Sequence, residues 1–184
     1  MFDTLRDDIR TAMAKDPAAN SAAEVVLTYP GLHAVWLYRL AHRLWGSDHE
    51  LAARLLAHLA RLLTGVEIHP AATVGERLFI DHGMGTVVGE TADIGDDVLL
   101  YHGVTLGGKS MRRTERHPTL EDGVTVGADA TLVGPITVGE NATVGAGAVV
   151  VDDVPPGATV VGNPAREIES DTPVSESPAT ASEG

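Results

Sequence analysis

Aliphatic residues recur every six positions through the second half of this chain. The longest unbroken series is Leu120, Val126, Leu132, Val138, Val144 and Val150; two earlier series are Ile68, Val74 and Ile80, then Val88, Ile94, Leu100 and Leu106. A six-residue period of this length is typical of a parallel β-helix, in which three sides make one coil. We therefore predict a mainly β fold whose aliphatic side chains fill a narrow prism and whose coils stack on one another.

The period is interrupted twice. The step lengthens to eight residues before Val88 and to fourteen residues before Leu120. A solenoid accommodates insertions as loops on its faces, and such loops often carry function. The two insertions read DHGMGT and GGKSMRRTERHP, and each contains one histidine, His82 and His117. We therefore expect the functional site at these two loops.

Helical patterns precede the repeats. Apolar spacing predicts helices over 2–15 and Gly31–Trp45, and a third helix that a capping box at Ser47–Glu50 begins and Gly65 ends. The apolar stripe of the third helix is Leu51, Leu55, Leu59 and Leu62. We expect these helices to cover one open end of the β-helix, which would otherwise expose unpaired strand edges.

Three regions are predicted from these patterns. Residues 1–65 form an N-terminal helical region, and residues 66–168 form the β-helix with the active site. Residues 169–184 are rich in Ser, Thr, Pro and Glu and contain four acidic and no basic residues. We expect this acidic tail to be disordered.

Composition excludes several classes of protein. The net charge is −13, so nucleic acid is not an expected partner, because phosphate binding needs a basic face. Cysteine is absent, which excludes disulfides and thiolate metal sites. No signal peptide or membrane-spanning segment is visible, so we expect a cytoplasmic protein. Only Lys15 and Lys109 are lysines; an acidic, lysine-poor chain suggests a halophilic protein, the alternative being an ordinary acidic one.

Specific motifs occur in a fixed order along the chain. They are VEIHP (66–70), DHGMGTVVGET (81–91), VTLGG (104–108), RHP (116–118) and VGNPAR (161–166). With these motifs the chain resembles the serine O-acetyltransferases of the hexapeptide acyltransferase superfamily. The resemblance implies a left-handed parallel β-helix of hexapeptide repeats preceded by a short α-helical N-terminal region. It also implies acetyl transfer from acetyl-CoA to the L-serine hydroxyl, the first step of cysteine biosynthesis from serine, without a metal.

A base is needed to accept the proton of the acceptor hydroxyl. His82 is the candidate, since imidazole titrates near neutral pH and the resemblance aligns it with the catalytic histidine of the family. Glu67 occupies the position of a family aspartate that orients this histidine, so the carboxylate is kept on a side chain one methylene longer. Asp81 is the alternative orienting carboxylate.

The resemblance places further side chains at the amino-acid substrate. Arg116 can bind a carboxylate through two hydrogen bonds, and His117 can bind the substrate or assist proton movement as a further catalytic residue. Asp16 and Asp81 would contact the ammonium and hydroxyl ends of the substrate, and Glu90 would line the site.

Coenzyme A is expected in the groove between neighbouring β-helices. Small residues there would permit close approach of the pantetheine arm: Gly107, Gly108, Ala128, Gly145 and Gly147. The loop after VTLGG departs from the family pattern because it is basic. Lys109, Arg112 and Arg113 could pair with the coenzyme phosphates, or they could form a mobile charged loop.

Assembly follows from the same resemblance. It implies a homotrimer or a dimer of trimers, with each active site between adjacent β-helices. Many family members end in an isoleucine that docks into O-acetylserine sulfhydrylase, but this chain ends Ala-Ser-Glu-Gly. We therefore expect no such docking through the C-terminus.

Three alternatives remain open from the residues alone. A hexapeptide acetyltransferase could act on a sugar or an antibiotic hydroxyl, because the fold does not determine the acceptor. A γ-type carbonic anhydrase would use histidines on zinc, and His69, His82, His102 and His117 are available. A purely structural solenoid would leave the histidines in both insertions unexplained.

Overall fold

The computed structural model describes residues 2–168, in which helices precede a series of short strands. The helices are α1 (Phe2–Lys15), α2 (Ala22–Thr28), α3 (Pro30–Trp45) and α4 (Glu50–Thr64). The strands are β1 (Glu67–Ile68), β2 (Thr73–Val74), β3 (Phe79–Ile80), β4 (Val87–Val88), β5 (Asp93–Ile94), β6 (Leu99–Leu100), β7 (Thr105–Gly107), β8 (Thr119–Leu120), β9 (Thr125–Val126), β10 (Thr131–Val133), β11 (Thr137–Val138), β12 (Thr143–Val144), β13 (Val149–Val150), β14 (Thr159–Val161) and β15 (Arg166–Ile168).

These strands form three sheets that are the faces of a prism. Sheet I has the order β1-β4-β7-β10-β13, sheet II has β11-β8-β5-β2, and sheet III has β15-β14-β12-β9-β6-β3. Each strand pairs in parallel with the strand three positions away in sequence as far as β13, so three consecutive strands make one coil. The chain closes with β15 antiparallel to β14. The predicted parallel β-helix is confirmed.

The core of the prism is a column of aliphatic side chains. The residues of the six-residue period are buried, apart from Val74, which is half-buried. A second buried residue lies two positions earlier in most repeats, as Val124 precedes Val126 and Ala142 precedes Val144. Residues two apart on a strand share a face, so each short side contributes two side chains to the core.

The helices cover the first coil, as predicted. The hydroxyl of Tyr38 in α3 donates to the carbonyl oxygen of Ala72 at 2.5 Å, and Ala34 and Val35 join the main core. Gly31 packs against the backbone of Ile80, where a Cβ atom would overlap the carbonyl oxygen. A smaller core of Ala12, Val25, Leu32 and Phe79 attaches α1 and α2.

Two details of the helical prediction are wrong. The hydroxyl of Ser47 donates to the carbonyl of Arg43, and α4 begins at Glu50 after His49, so there is no capping box. The stripe of Leu51, Leu55, Leu59 and Leu62 is exposed, with fractions between 47% and 74%. α4 instead buries its alanine face of Ala53, Ala57 and Ala60, because small side chains allow close approach to its neighbours.

Helix α2 was not predicted, since its seven residues are too short for a clear helical period. In the part of the chain that the structure describes, no helix is long and apolar enough to cross a membrane. The tail predicted to be disordered, 169–184, lies outside the described residues.

Candidate functional site

The two insertions lie at different edges of the prism. Residues 81–86 join β3 in sheet III to β4 in sheet I, and we call this corner the His82 edge. Residues 108–118 join β7 in sheet I to β8 in sheet II, and we call this corner the His117 edge. Six residues of sheet I separate the two edges, roughly 15–20 Å at about 3.3 Å per residue. The two histidines of one chain therefore cannot contact one small acceptor.

His82 occupies an unusual backbone conformation at its edge. Its φ is 58°, in the left-handed region that non-glycine residues seldom adopt, and Gly83 and Gly85 follow with φ of 81°. The imidazole is 77% exposed, and its Nε2 lies 3.9 Å from Oδ1 of Asp81, too far for a hydrogen bond. The ring of His102 lies 6.0 Å away, edge-on, so these two histidines are neighbours. The same φ recurs at other corners of the prism, at Arg77, Asp97, Asp129 and Asn141, so the conformation belongs to the turn.

Asp16 joins the His82 edge from the end of α1. Its Oδ1 accepts a hydrogen bond from the backbone N–H of Ala18 at 2.8 Å, and its Oδ2 accepts one from the Tyr29 hydroxyl at 2.5 Å. The Tyr29 bond is the main cause that lowers the pKa of Asp16, and the charge of His82 lowers it further. The structure thus places Asp16, Asp81 and His82 within electrostatic reach of one another.

The His82 edge continues along the prism as a column of stacked turns. Gly103 N–H donates to the Met84 carbonyl at 2.9 Å, Asp129 N–H to that of His102 at 2.9 Å, and Gly147 N–H to that of Ala128 at 2.8 Å. Coils are about 4.8 Å apart, so Ala128 and Gly147 lie roughly 10 and 14 Å beyond the His82 loop. Ala128, Gly145 and Gly147 therefore lie on the same edge as the candidate base.

An ion pair organises the His117 edge. Nη2 of Arg116 lies 2.5 Å from Oε2 of Glu90, and Arg116 holds the pKa of Glu90 below its ordinary value. Both side chains are partly exposed. This bond uses one of the five guanidinium N–H groups, so Arg116 keeps a fixed orientation and further donors for an anionic ligand.

His117 is fixed by Thr91, a residue that the sequence analysis missed. The backbone N–H of Thr91 donates to Nδ1 of His117 at 3.1 Å, and its hydroxyl lies 2.9 Å from the same nitrogen. A backbone N–H can only donate, so Nδ1 is an acceptor and the neutral ring has its proton on Nε2. Burial, followed by the charge of Arg116, lowers the pKa of His117 and favours this neutral form. The ring packs over Gly89, where a Cβ atom would overlap it.

A cleft of about 510 Å³ opens beside His117 and is lined by Trp45, Glu90, Thr91 and Thr119 among others. His69 packs edge-on against Trp45 at 5.3 Å, and its Nδ1 accepts from Ala71 N–H. The four histidines of the zinc alternative are thus divided between two edges, with His82 and His102 at one and His69 and His117 at the other. Within residues 2–168, no three His, Asp or Glu side chains gather into a metal-binding group.

Glu67 lies on sheet I, between the two edges. Its Oε2 is 2.9 Å from Nη1 of Arg61 in α4, and the carboxylate is partly exposed. The contact made within one chain is therefore with Arg61 and not with His82. That Glu67 orients His82 stays a prediction.

The remaining residues predicted to bind coenzyme A lie at the His117 edge. Lys109 N–H donates to the Arg116 carbonyl at 3.2 Å and closes the basic loop, while its ammonium-bearing side chain is exposed. Gly107 pairs with Val133, and Gly108 packs beside the side chains of Arg116 and His117. The coenzyme residues predicted from sequence are thus divided between the two edges.

Comparison with known proteins assigns the chain to a family. A family model described as bacterial transferase hexapeptide (six repeats) matches residues 117–152. The chain is 54% identical over 173 residues to the serine acetyltransferase of Mycobacterium tuberculosis, an alignment that spans 94% of this chain and 76% of the relative. The chain belongs to the serine acetyltransferase family. The serine acetyltransferase of Bacillus subtilis is 50% identical, over 91% of this chain and 77% of its own.

Solved serine acetyltransferases share the fold. The Neisseria gonorrhoeae enzyme in complex with serine superposes with a TM-score of 0.87 at 40% identity, covering 91% of this chain and 69% of that one. The Brucella abortus enzyme in complex with coenzyme A gives 0.87 at 42% identity, covering 91% and 67%. The predicted left-handed parallel β-helix with an α-helical N-terminal region is confirmed.

Proposed function

We propose that this chain transfers the acetyl group of acetyl-CoA to the hydroxyl of L-serine, giving O-acetyl-L-serine and CoA on the route from serine to cysteine. One observation above all supports it: the two edges offer complementary halves of a serine site. The His82 edge has an imidazole and two carboxylates, and the His117 edge has a guanidinium and an imidazole N–H. A zwitterionic amino acid with a hydroxyl matches both halves.

The reaction needs only a base and a bound thioester. His82 accepts the hydroxyl proton as the serine oxygen attacks the acetyl carbonyl carbon, and a C–O bond forms. The tetrahedral intermediate then collapses with cleavage of the C–S bond, and the imidazolium returns the proton to the CoA sulfur. The exposed imidazole has room for both the acceptor and the thioester.

Charges on the two edges select the acceptor. Arg116, held by Glu90, binds the serine carboxylate, and His117 donates its Nε2 proton to the same group. Asp16 and Asp81 receive the ammonium. A sugar or chloramphenicol has neither a carboxylate for Arg116 nor an ammonium for Asp16 and Asp81, which disfavours such acceptors strongly.

The site requires two copies of the chain, because one chain holds its edges too far apart. We propose that the His82 edge of one copy faces the His117 edge of the next. Such a contact is head-to-tail, so repeating it closes the copies into a ring. We propose that the ring is a trimer, either alone or paired with a second trimer. The exposed leucines of α4 support contact with a further copy, since apolar faces of this kind usually mark interfaces.

Coenzyme A would lie in the groove between the two copies. Ala128, Gly145 and Gly147 would line the pantetheine arm on the His82 edge, and the thioester would then reach the base. Gly107 and Gly108 would line the facing edge of the neighbouring copy. Lys109 extends into solvent beside them, where its ammonium would pair with the coenzyme phosphates.

Thiol release tests the acceptor. With purified protein and acetyl-CoA, we expect CoA formation to depend on L-serine and to stay at background with sugars or chloramphenicol, because only serine pairs with both edges. The matched control is heat-denatured protein. Turnover with a sugar in the absence of serine would contradict the proposal.

Variants of Glu67 test whether its carboxylate orients His82. Glu67→Asp should keep substantial activity, whereas Glu67→Gln should lose on the order of 10-fold or more in kcat, because an amide cannot stabilise an imidazolium. Arg61→Gln is the control, since it removes only the contact seen within one chain. If Arg61→Gln lowers kcat as much as Glu67→Gln, the carboxylate acts through Arg61; if neither Glu67 variant changes kcat, Asp81 becomes the orienting candidate.

A further inference from the structure

Tyr29 is bonded directly to a side chain of the proposed serine site. We infer that Tyr29 is a positioning residue that fixes the Asp16 carboxylate to receive the ammonium of the acceptor, so that this pair selects amino acids over other hydroxy acids. The inference rests on the proposed function and adds a residue to the same site. It is carried by contacts that join two different parts of the helical region.

Both oxygens of Asp16 are bonded, but by donors of different origin. Oδ1 accepts from the backbone of Ala18 two residues later, a local turn that fixes one oxygen only. Oδ2 accepts from the Tyr29 hydroxyl, which comes from the junction of α2 and α3. Without the second bond the carboxylate could rotate about its side-chain torsions. With it, the carboxylate is held in one orientation, and its remaining lone pairs can accept from a ligand.

Tyr29 itself is held firmly. Its backbone N–H donates to the carbonyl of Val25 at the end of α2, and Pro30 begins α3 directly after it. Its ring is half-buried and packs against the smaller core of Val25, Leu32 and Phe79. A phenol anchored on both sides presents its hydroxyl in one direction, which is what a positioning residue must do.

The electrostatics of the pair agree with this role. The Asp16 carboxylate, followed by burial and the charges of Glu24 and Asp81, raises the pKa of Tyr29 to about 12. The phenol therefore stays protonated and donates at any pH near neutrality. Its hydrogen bond lowers the pKa of Asp16, so the carboxylate stays charged, and the other titratable groups that face the pair are Glu24, Asp81 and His82.

Tyr29→Phe removes the donor and keeps the ring. We expect KM for L-serine to rise on the order of 5- to 20-fold, because a hydrogen bond to a charged group is lost. The values of kcat and of KM for acetyl-CoA should change less than about twofold, since neither the base nor the coenzyme groove is altered. With β-hydroxypropionate, which is serine without its amine, kcat/KM should stay unchanged, so selectivity for serine falls by the same factor.

Two companion variants separate the possible outcomes. Tyr38→Phe is the matched control, since it removes a phenol that bonds the backbone of the first coil, at Ala72, and no side chain of the proposed site, and it should leave KM for serine unchanged. Asp16→Ala should raise this KM at least as much as Tyr29→Phe, and Tyr29→Phe should add nothing in the Asp16→Ala background.

The inference would be overturned if Tyr29→Phe lowered kcat/KM equally with serine and with β-hydroxypropionate. It would also be overturned if Asp16→Ala raised KM for serine while Tyr29→Phe left it unchanged. An unchanged KM in Asp16→Ala would overturn the role of Asp16 and the inference with it. Absence of serine-dependent thiol release in the unaltered protein would instead contradict the proposed function.

Discussion

Replacement of His82 with alanine is expected to reduce kcat on the order of 100- to 10,000-fold, the usual contribution of a general base. The expectation rests on the position of the ring at the end of the groove that would bind the pantetheine arm, beside two carboxylates that can receive an ammonium. Affinity for CoA should be nearly unchanged, because the imidazole acts on the acceptor. Steady-state thiol release and calorimetric titration with CoA measure the two quantities.

A second histidine provides the control for this variant. His49 is exposed at the start of α4 and makes no side-chain hydrogen bond to the first turn of that helix. His49→Ala should keep wild-type kcat. If His82→Ala keeps more than about a tenth of wild-type kcat, the base lies elsewhere, and His102, whose ring packs beside it, is the next candidate.

The β-helix could be predicted from sequence because its repeat is one-dimensional. A side chain such as Leu132 contacts the same positions of the coils above and below, so burial appears as a strict period. Insertions that break the period are equally visible, which is why His82 and His117 stand out from the sequence alone. Counting the repeats in threes would also have shown that the two insertions fall at different edges. Ile80 is on the third side of a coil, whereas Leu106 is on the first side of a later coil.

Contacts between segments that are distant in sequence produce no such period in the sequence. The bond of Tyr29 to Asp16 depends on how α1 and α2 pack, and the bonds of Thr91 to His117 depend on the path of a long insertion. Nothing periodic marks either pair. The spacing of the leucines in α4 likewise predicted an apolar face, but it could not show which face of the helix packs against the rest of the chain. In the structure the alanine face packs there.

The second large effect is a loss of activity at the His117 edge, which the proposal assigns to the neighbouring copy. A double variant Arg116→Ala with His117→Ala removes the donors proposed for the serine carboxylate, and kcat/KM for serine should fall on the order of 100-fold or more. His82→Ala fails for a different reason, at the other edge. If one edge from each of two copies makes a site, the two inactive variants can restore each other. A chain that carries both defects has no intact edge, so an assembly of that chain alone cannot recover activity.

Co-expression of these two variants with different affinity tags, followed by purification over both tags, gives assemblies that contain both kinds of chain. An intact site takes its His82 edge from one kind of chain and its His117 edge from the other. A trimeric ring that contains both kinds therefore keeps about a third of its sites, and kcat/KM for serine should recover to about a third of wild type, or to about a quarter for pairs of trimers. An assembly of the triple variant, His82→Ala with Arg116→Ala and His117→Ala, purified in the same way with both tags, should stay inactive. Mixed assemblies as inactive as their parents would contradict a serine site built from the His82 edge of one copy and the His117 edge of the next.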